Sequence, residues 1–423
     1  MLRLAAARLR PGLGRGPGGR GGAPGARTAR AARARAAGTS SAAATSEARE
    51  EAAARRGEAA GRAAPAALHV LDGRTKAAVW QAEVAESVGE LRKAHGRPPG
   101  LAVVLVGERR DSLLYVRRKE EACASVGMEF QLHHLPASVS QAELHATVEA
   151  ACRRDAVDGV LLQLPLPPHL DEEAALDTVW PEKDVDGLHP VNVGRLAMRG
   201  AAPLFVPCTP LGCIELLRRS QVEVAGKHVV VLGNSNTVGT PLSMLCRDAG
   251  ATAVTVCHRT ALDLAPGAGP AGDDPDAADS RAALEACLPA IPVGGGAGGG
   301  GKRALALGFR DLDAVREVAR EADVLFTAVG IPELIRGDWV RPGAVVVDIG
   351  INVVPFTEDR GLPVRMVGGQ PMHIIGDVAW PEVAPVAAAL TPVPGGVGPM
   401  TIAALMDNTL VSAARRLAGA DEG

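Results

Sequence analysis

A series of short, largely apolar runs rich in β-branched residues, each followed by a stretch of helical length, constrains this chain most. LAVVLV at Leu101–Val106, VDGVLLQL at Val157–Leu164, VVVL at Val229–Leu232 and AVTVC at Ala253–Cys257 are the clearest, with Val324–Val329 and Ala344–Ile349 later. Runs without polar alternation have no face left for water, so they predict parallel strands covered by helices on both sides. Helices are expected over Ser112–Val126, Ser138–Arg154, Thr209–Arg219, Val238–Arg247 and Met400–Leu417. Ser140 with Glu143 three residues on has the form of a capping box. Pro165, Pro167 and Pro168 stop the second strand. The order predicts an α/β chain whose second half is a doubly wound nucleotide-binding unit. Aromatics make up only 2% of the 423 residues, so the cores must be built from Ala, Val, Leu and Ile.

The net charge of −3 hides a split. Residues 1–46 hold nine Arg and no Asp or Glu, which leaves 36 basic against 48 acidic residues in the rest. An acidic body argues against a nucleic-acid partner, and no apolar run is long enough to span a bilayer. The Arg-, Ala- and Ser-rich start has the composition of an organelle transit peptide, mitochondrial with the chloroplast as alternative. Residues 47–66 read as a linker. Residues 261–308, with AGPAGDDPDAADS and GGGAGGGG, cannot bury enough apolar surface to order themselves and read as an insertion. Seven scattered Cys with no CxxC predict no metal site, and His133-His134 reads as a solvated strand end.

Five constellations carry chemistry. Tyr115 and Lys119 are four apart and share a helix face. A flat phenol beside an amine suits a ring substrate, and a buried lysine can act as a base; an ordinary amphipathic helix would look the same. Gln163 stands near the carboxyl end of its strand, where ligands collect in open α/β sheets. In Lys183-Asp184-Val185-Asp186-Gly187 one carboxylate of the two, and not both, is expected to meet a ligand. Gly233-Asn234-Ser235-Asn236-Thr237-Val238-Gly239 joins a strand to a helix and reads as a dinucleotide turn, although Ser235 occupies the place of the second glycine. The next strand runs into His258-Arg259; a basic residue there favours the 2′-phosphate of NADP over the free ribose of NAD. Pro392-Val-Pro-Gly-Gly-Val-Gly-Pro399 is a rigid loop with an exposed backbone, before the last helix.

Together the segments DSLLYVRRK, GVLLQLPLP, PEKDVDGLHPVNVGRL, PCTPLGCIELL, GNSNTVGTP, GAVVVDIGIN and TPVPGGVGPMT resemble the bifunctional methylenetetrahydrofolate dehydrogenase/cyclohydrolase family, with HPVNVGRLAMRGAAPLFVPCTP most like plant or algal members. The resemblance covers nearly the whole body from residue 67. It implies a folate-binding catalytic domain over 67–208, completed by a terminal helix at 400–418, facing a Rossmann NADP domain over 209–390 across a cleft, in a homodimer. It implies Lys119 as the catalytic lysine, tuned by Gln163, with Tyr115 stacking on the folate ring and Asp186 anchoring the pterin. Ser112, Leu162, Leu164, Pro394, Gly395, Gly396, Val397 and Gly398 would line the folate cleft. Gly233, Asn234, Ser235, Gly239, Arg259 and Ile351 would meet the cofactor.

The chain departs from the family in three places. Asn234 replaces an arginine, which predicts weaker discrimination against NAD. The 261–308 insertion follows Arg259. A shorter insertion near Gly369–Ile375 splits the usual VGDV. The alternatives are a monofunctional dehydrogenase, or a decayed folate- or nucleotide-binding protein. A fluorescent fusion of residues 1–65 is expected to enter mitochondria; retention in the cytosol would exclude the targeting reading.

Overall fold

The computed structural model describes residues 67–257, 312–356, 364–367 and 370–420. The basic start (1–46), the linker (47–66 but for its last position's neighbour at 67), Arg259 and the 261–308 insertion lie outside the described residues.

The first sheet has three parallel strands in the order β3-β2-β4: β2 (Gly100–Val106), β3 (Glu129–Leu135) and β4 (Gly159–Leu162). Every residue of β2 and β4 is buried, as unalternating apolar runs require. The helices that cross between these strands are α2 (Arg110–Val126) and α3 (Gln141–Arg153), with α1 (Gly73–His95) ahead of them. Ser140 and Glu143 form the reciprocal capping box at the start of α3. The His133-His134 pair lies at the carboxyl end of β3, just before Leu135, with a ring nitrogen of His134 2.9 Å from the Gly107 carbonyl oxygen. Two short helices, α4 (Glu172–Asp177) and α5 (Pro190–Ala197), flank the charged turn that holds Asp186, and α6 (Cys208–Arg219) leads away from it.

The second sheet has six parallel strands in the order β1-β12-β8-β7-β5-β6. These are β1 (His69–Val70), β5 (His228–Leu232), β6 (Ala253–Cys257), β7 (Val324–Thr327), β8 (Val345–Asp348) and β12 (Ala389–Leu390). Helices α7 (Gly239–Asp248) and α8 (Leu312–Arg320) cross between its strands. One strand corrects the expected division of the chain: β1 precedes α1 yet pairs with β12 in the second sheet, so residues 69–70 belong there. A third sheet, antiparallel and in the order β10-β11-β9, is built from β9 (Asn352–Pro355), β10 (Val364–Val367) and β11 (Gln370–Ile375). The segment read as a short insertion is thus most of β11, paired on both edges. The chain continues through α9 (Trp380–Val383) and β12 to the terminal helix α10 (Val397–Ala420).

Helix α10 packs against α1, α2 and α6, and the largest core cluster runs through them from Trp80 and Leu105 to Val231 and Phe326. The two parallel sheets therefore share one apolar interior. Among the described residues, no helix is long and apolar enough to cross a membrane.

A buried ionic cluster fixes the amino end of β4. Asp158, with no exposed surface, accepts two hydrogen bonds from Arg97 (2.7 and 2.9 Å), one from Arg416 (2.9 Å) and one from the Gly100 amide (3.0 Å). Removing one partner of such a cluster leaves the others uncompensated, at a cost of about 3–5 kcal/mol. Asp158→Ala is expected to lose about 3 kcal/mol, near the lower bound because both arginines keep a route to water; urea unfolding measures it, and a loss below about 1 kcal/mol would contradict this account.

Candidate active site

The carboxyl ends of β4 and β5 face a common cavity of about 180 Å³. Lys119, Gln163, Asp186 and Cys208 give it polar groups. Leu162, Leu164 and Leu188 form an apolar side, and Thr209, Thr237 and Val238 close it. Lys119 reaches the cavity from the third turn of α2, one turn beyond Tyr115. Its Nζ donates to Gln163 Oε1 at 2.8 Å, and Gln163 Nε2 donates to the Leu164 carbonyl at 2.8 Å. One lone pair and one N–H of the Gln163 amide are used by this pair of bonds, which hold its oxygen toward the lysine. Burial draws the Lys119 pKa below the ordinary lysine range, against the pull of the nearby Asp186 carboxylate. Burial likewise raises the Tyr115 phenol.

The two carboxylates of the charged turn have different surroundings, although residues two apart would share a face in an extended stretch; the turn closed by the Gly187 amide on the Asp184 carbonyl (3.0 Å) breaks that alternation. Asp184 is buried and accepts from the amides of Leu188 (3.2 Å) and His189 (2.8 Å) and from Asn192 Nδ2 (2.8 Å). Burial pushes its carboxyl up to about 7 in spite of these bonds. Asp186 is half-buried and lines the cavity. Lys183 turns the other way: its Nζ donates to the carbonyls of Cys152 (2.6 Å) and Arg154 (2.9 Å), and burial lowers it to about 8.

The glycine turn follows β5. Gly233 has φ +111°, and a Cβ there would stand 2.3 Å from the Ala328 carbonyl oxygen. A Cβ on Gly239 would fall 1.9 Å from the Gly233 oxygen. Both positions thus demand glycine, for a positive φ at one and a close backbone crossing at the other. Ser235 Oγ accepts from the Val238 amide at 3.1 Å, and the Thr240 hydroxyl donates to Asn234 Oδ1 at 2.8 Å. The turn presents amides and small hydroxyls, with no carboxylate, at the start of α7. That donor set fits the phosphates of a dinucleotide. Ile351 is exposed just past the carboxyl end of β8, on the same edge of the sheet.

Not every expected residue reaches the cavity. Ser112 is buried in the first turn of α2, and Tyr115 does not line the cavity itself. The loop Pro394–Gly398 packs on the start of α1, where Gly395 O accepts from the Arg74 amide at 3.1 Å. A Cβ on Gly73 would meet Gly396 O at 1.7 Å, so the two segments touch backbone to backbone. Sequence reasoning missed Cys208 and Thr209. Their signal was adjacency in the PCTP segment: the Cys208 amide donates to the Asp186 carbonyl at 3.3 Å, which brings the start of α6 under the charged turn.

Comparison with known proteins gives the same two parts. The sequence pattern described as "Tetrahydrofolate dehydrogenase/cyclohydrolase, catalytic domain" matches residues 71–186. Its "NAD(P)-binding domain" counterpart matches 207–271 and 310–417. The chain belongs to the tetrahydrofolate dehydrogenase/cyclohydrolase family. Two relatives from Arabidopsis thaliana, the chloroplastic "Bifunctional protein FolD 4" and the mitochondrial "Bifunctional protein FolD 1", are each 41% identical to it over 346 residues, 82% of this chain and 79% and 81% of theirs. The solved methylenetetrahydrofolate dehydrogenase-cyclohydrolase of Trypanosoma brucei, complexed with NADP and an inhibitor, is 36% identical, with a TM-score of 0.65 over 83% of this chain and 98% of that one. This family member lines one cavity with its Lys119–Gln163 pair and with Thr237 and Val238 of its glycine turn.

The two aspartates of the turn should respond differently to removal. Asp184→Ala leaves three buried donors without an acceptor and is expected to lower stability by about 2–4 kcal/mol. Asp186→Ala should cost less, about 1 kcal/mol, because its half-buried carboxylate satisfies fewer buried groups, the Cys208 thiol among them. Denaturant unfolding of both variants decides, and equal losses would contradict the division.

Proposed function

We propose that the cavity between Lys119 and the glycine turn carries out both reactions of the family on a single carbon. The chain oxidises 5,10-methylenetetrahydrofolate with NADP and hydrolyses the 5,10-methenyl product to 10-formyltetrahydrofolate. The carrying observation is the Lys119–Gln163 hydrogen bond in a cavity that Thr237 and Val238 of the dinucleotide turn also line. Bound NADP supplies the acceptor for the hydride that the substrate's methylene carbon loses.

The residues of the chain do the rest. Asp186 offers a carboxylate to the paired N–H donors of the aminopyrimidine ring, a bidentate match. Tyr115 supplies a flat face for the folate ring system, and Pro394–Gly398 with Leu162 and Leu164 borders it. In the hydrolysis, the oxygen of water bonds to the methenyl carbon and the carbon–N5 bond breaks. Lys119, as free amine, takes a proton from that water and returns one to N5, and one proton is left over for solvent. Gln163 keeps the amine aimed at the cavity by accepting one of its hydrogens. Ser235 and the amides that open α7 receive the cofactor's phosphates. Asn234, whose Oδ1 is occupied by Thr240, offers a neutral NH₂ group toward a 2′-phosphate, so NAD is tolerated better than beside an arginine. The acid-free Arg-rich start supports import into mitochondria, and the family supports a homodimer.

Lys119→Met is expected to lower the hydrolysis of methenyltetrahydrofolate by about 10²–10⁴-fold while unfolding like the parent. In the wild type, a lowered lysine pKa means that the free amine forms at lower pH than usual. The enzymic rate should therefore rise with pH along a curve whose midpoint lies below about 10.4, the value of an unperturbed lysine. Loss of methenyl absorbance, corrected for the spontaneous reaction, follows both. Full activity in the Met variant would remove Lys119 from the mechanism.

A further inference from the structure

Two buried aspartates stand behind the cofactor side of the second sheet, and the reactions above use neither. Asp348 ends β8, and Asp377 follows β11. Asp377 has no exposed surface, yet its carboxylate is surrounded by donors from two loops. Its Oδ2 accepts from the amides of Val329 (2.7 Å) and Gly330 (3.1 Å), and its Oδ1 from the amide of Ile331 and from Asn352 Nδ2, both at 3.0 Å. Asp348 in turn holds the segment that carries Asp377. Its Oδ1 accepts from the amides of Asp377 and Gly350 at 3.0 Å, and its Oδ2 from that of Val378 at 2.9 Å.

Both carboxylates approach backbone so closely that side chains are excluded. A Cβ on Gly350 would stand 2.2 Å from Asp377 Cγ, and one on Gly376 would stand 1.8 Å from Asp348 Oδ2. Three successive amides aimed at one carboxylate fix the path of residues 329–331. Asn352 does the same for the start of β9, beside Ile351. These two loops leave the carboxyl ends of β7 and β8, the edge of a doubly wound sheet where a dinucleotide lies. The first loop also touches the glycine turn, because Gly233 and the Ala328 carbonyl are in backbone contact.

We propose that Asp377 is the positioning residue of the cofactor half-site. It gathers the loops after β7 and β8 by their amides and braces the Gly233 turn through Ala328. The inference rests on the proposed function, in which NADP lies on that edge. Asp377 contacts neither Lys119 nor Gln163, and its loops belong to the other sheet, so hydrolysis of methenyltetrahydrofolate without cofactor is independent of it.

The test compares three readouts in the full chain, for wild type, Asp377→Asn and Asn352→Ala. These are NADP affinity by calorimetry, the dehydrogenase KM for NADP against its kcat, and cyclohydrolase kcat/KM with no cofactor present. In Asp377→Asn an amino group would face amide donors, so NADP affinity is expected to fall at least tenfold and KM to rise in parallel, with cyclohydrolase within twofold of the parent. Asn352→Ala removes one donor and is expected to weaken NADP by about threefold with the same split; it decides the matter if the first variant does not fold. Unchanged NADP affinity, or an equal loss of both activities, overturns the proposal. A wild-type chain that neither binds NADP nor reduces it would overturn the underlying assignment as well.

Discussion

One stripe of polar side chains on α10 holds the site together. Asn408, Ser412 and Arg416 are four apart and so lie one above another on the helix. Asn408 donates to the carbonyls of Val185 (2.9 Å) and Val206 (3.0 Å), the residues just before Asp186 and Pro207-Cys208. Ser412 Oγ donates to the Asp158 carbonyl at 2.6 Å, and Arg416 to the carboxylate of the same residue. Each bond adds only about 1 kcal/mol net, but a buried carbonyl left without a donor costs about 1–3 kcal/mol. The stripe thus acts by exclusion: other placements of the charged turn would strand acceptors in the core. Apolar residues elsewhere on α10, among them Met400, Ala404, Leu405 and Val411, seal α1 and α6 together, which keeps the walls of the cavity in register.

The aspartates show how environment divides labour among identical side chains. Asp158, Asp184, Asp348 and Asp377 are buried, and each is matched by several donors. Burial raises three of them, Asp348 to about 7 with Asp377 as a further cause, so in these places the fold withstands carboxyls of reduced acidity. Asp186 alone of the group keeps a face toward the cavity. A carboxylate with spare acceptor capacity beside a lysine is available to a ligand; one saturated by backbone amides is a fastener.

Much of this was legible in the sequence, for reasons that can be traced. LAVVLV and VVVL could be read as strands because burial on both faces leaves an uninterrupted apolar run. The start of α3 could be read because Ser140 and Glu143 satisfy each other locally. The separation of Asp184 from Asp186 was not readable from alternation, which puts residues two apart on one face; it comes from the turn at Gly187. Other features depend on distant partners. Strands β1 and β12 have two residues each, too few for any periodicity. The segment near Gly369–Ile375 reads as an insertion because it splits the VGDV motif of the family, and its pairing as β11 between β10 and β9 is not written in that motif. Asp377 meets amides more than 45 positions away, and its immediate neighbours give no hint of them. The expected basic partner for a 2′-phosphate, Arg259, falls among residues outside those described.

The pairing of β1 with β12 has a consequence for the order in which the molecule can be completed. His69 and Val70 stand opposite Ala389 and Leu390, some 320 positions later. On a ribosome, β1 is made early and has no partner until the end of the chain is nearly finished. The three-stranded sheet needs only residues up to Leu162 for its ladder, but α10, which supplies its polar braces, also arrives last. Closure of so long a loop is entropically expensive and slow. Neither half can therefore reach its final form before β12 and α10 have been made.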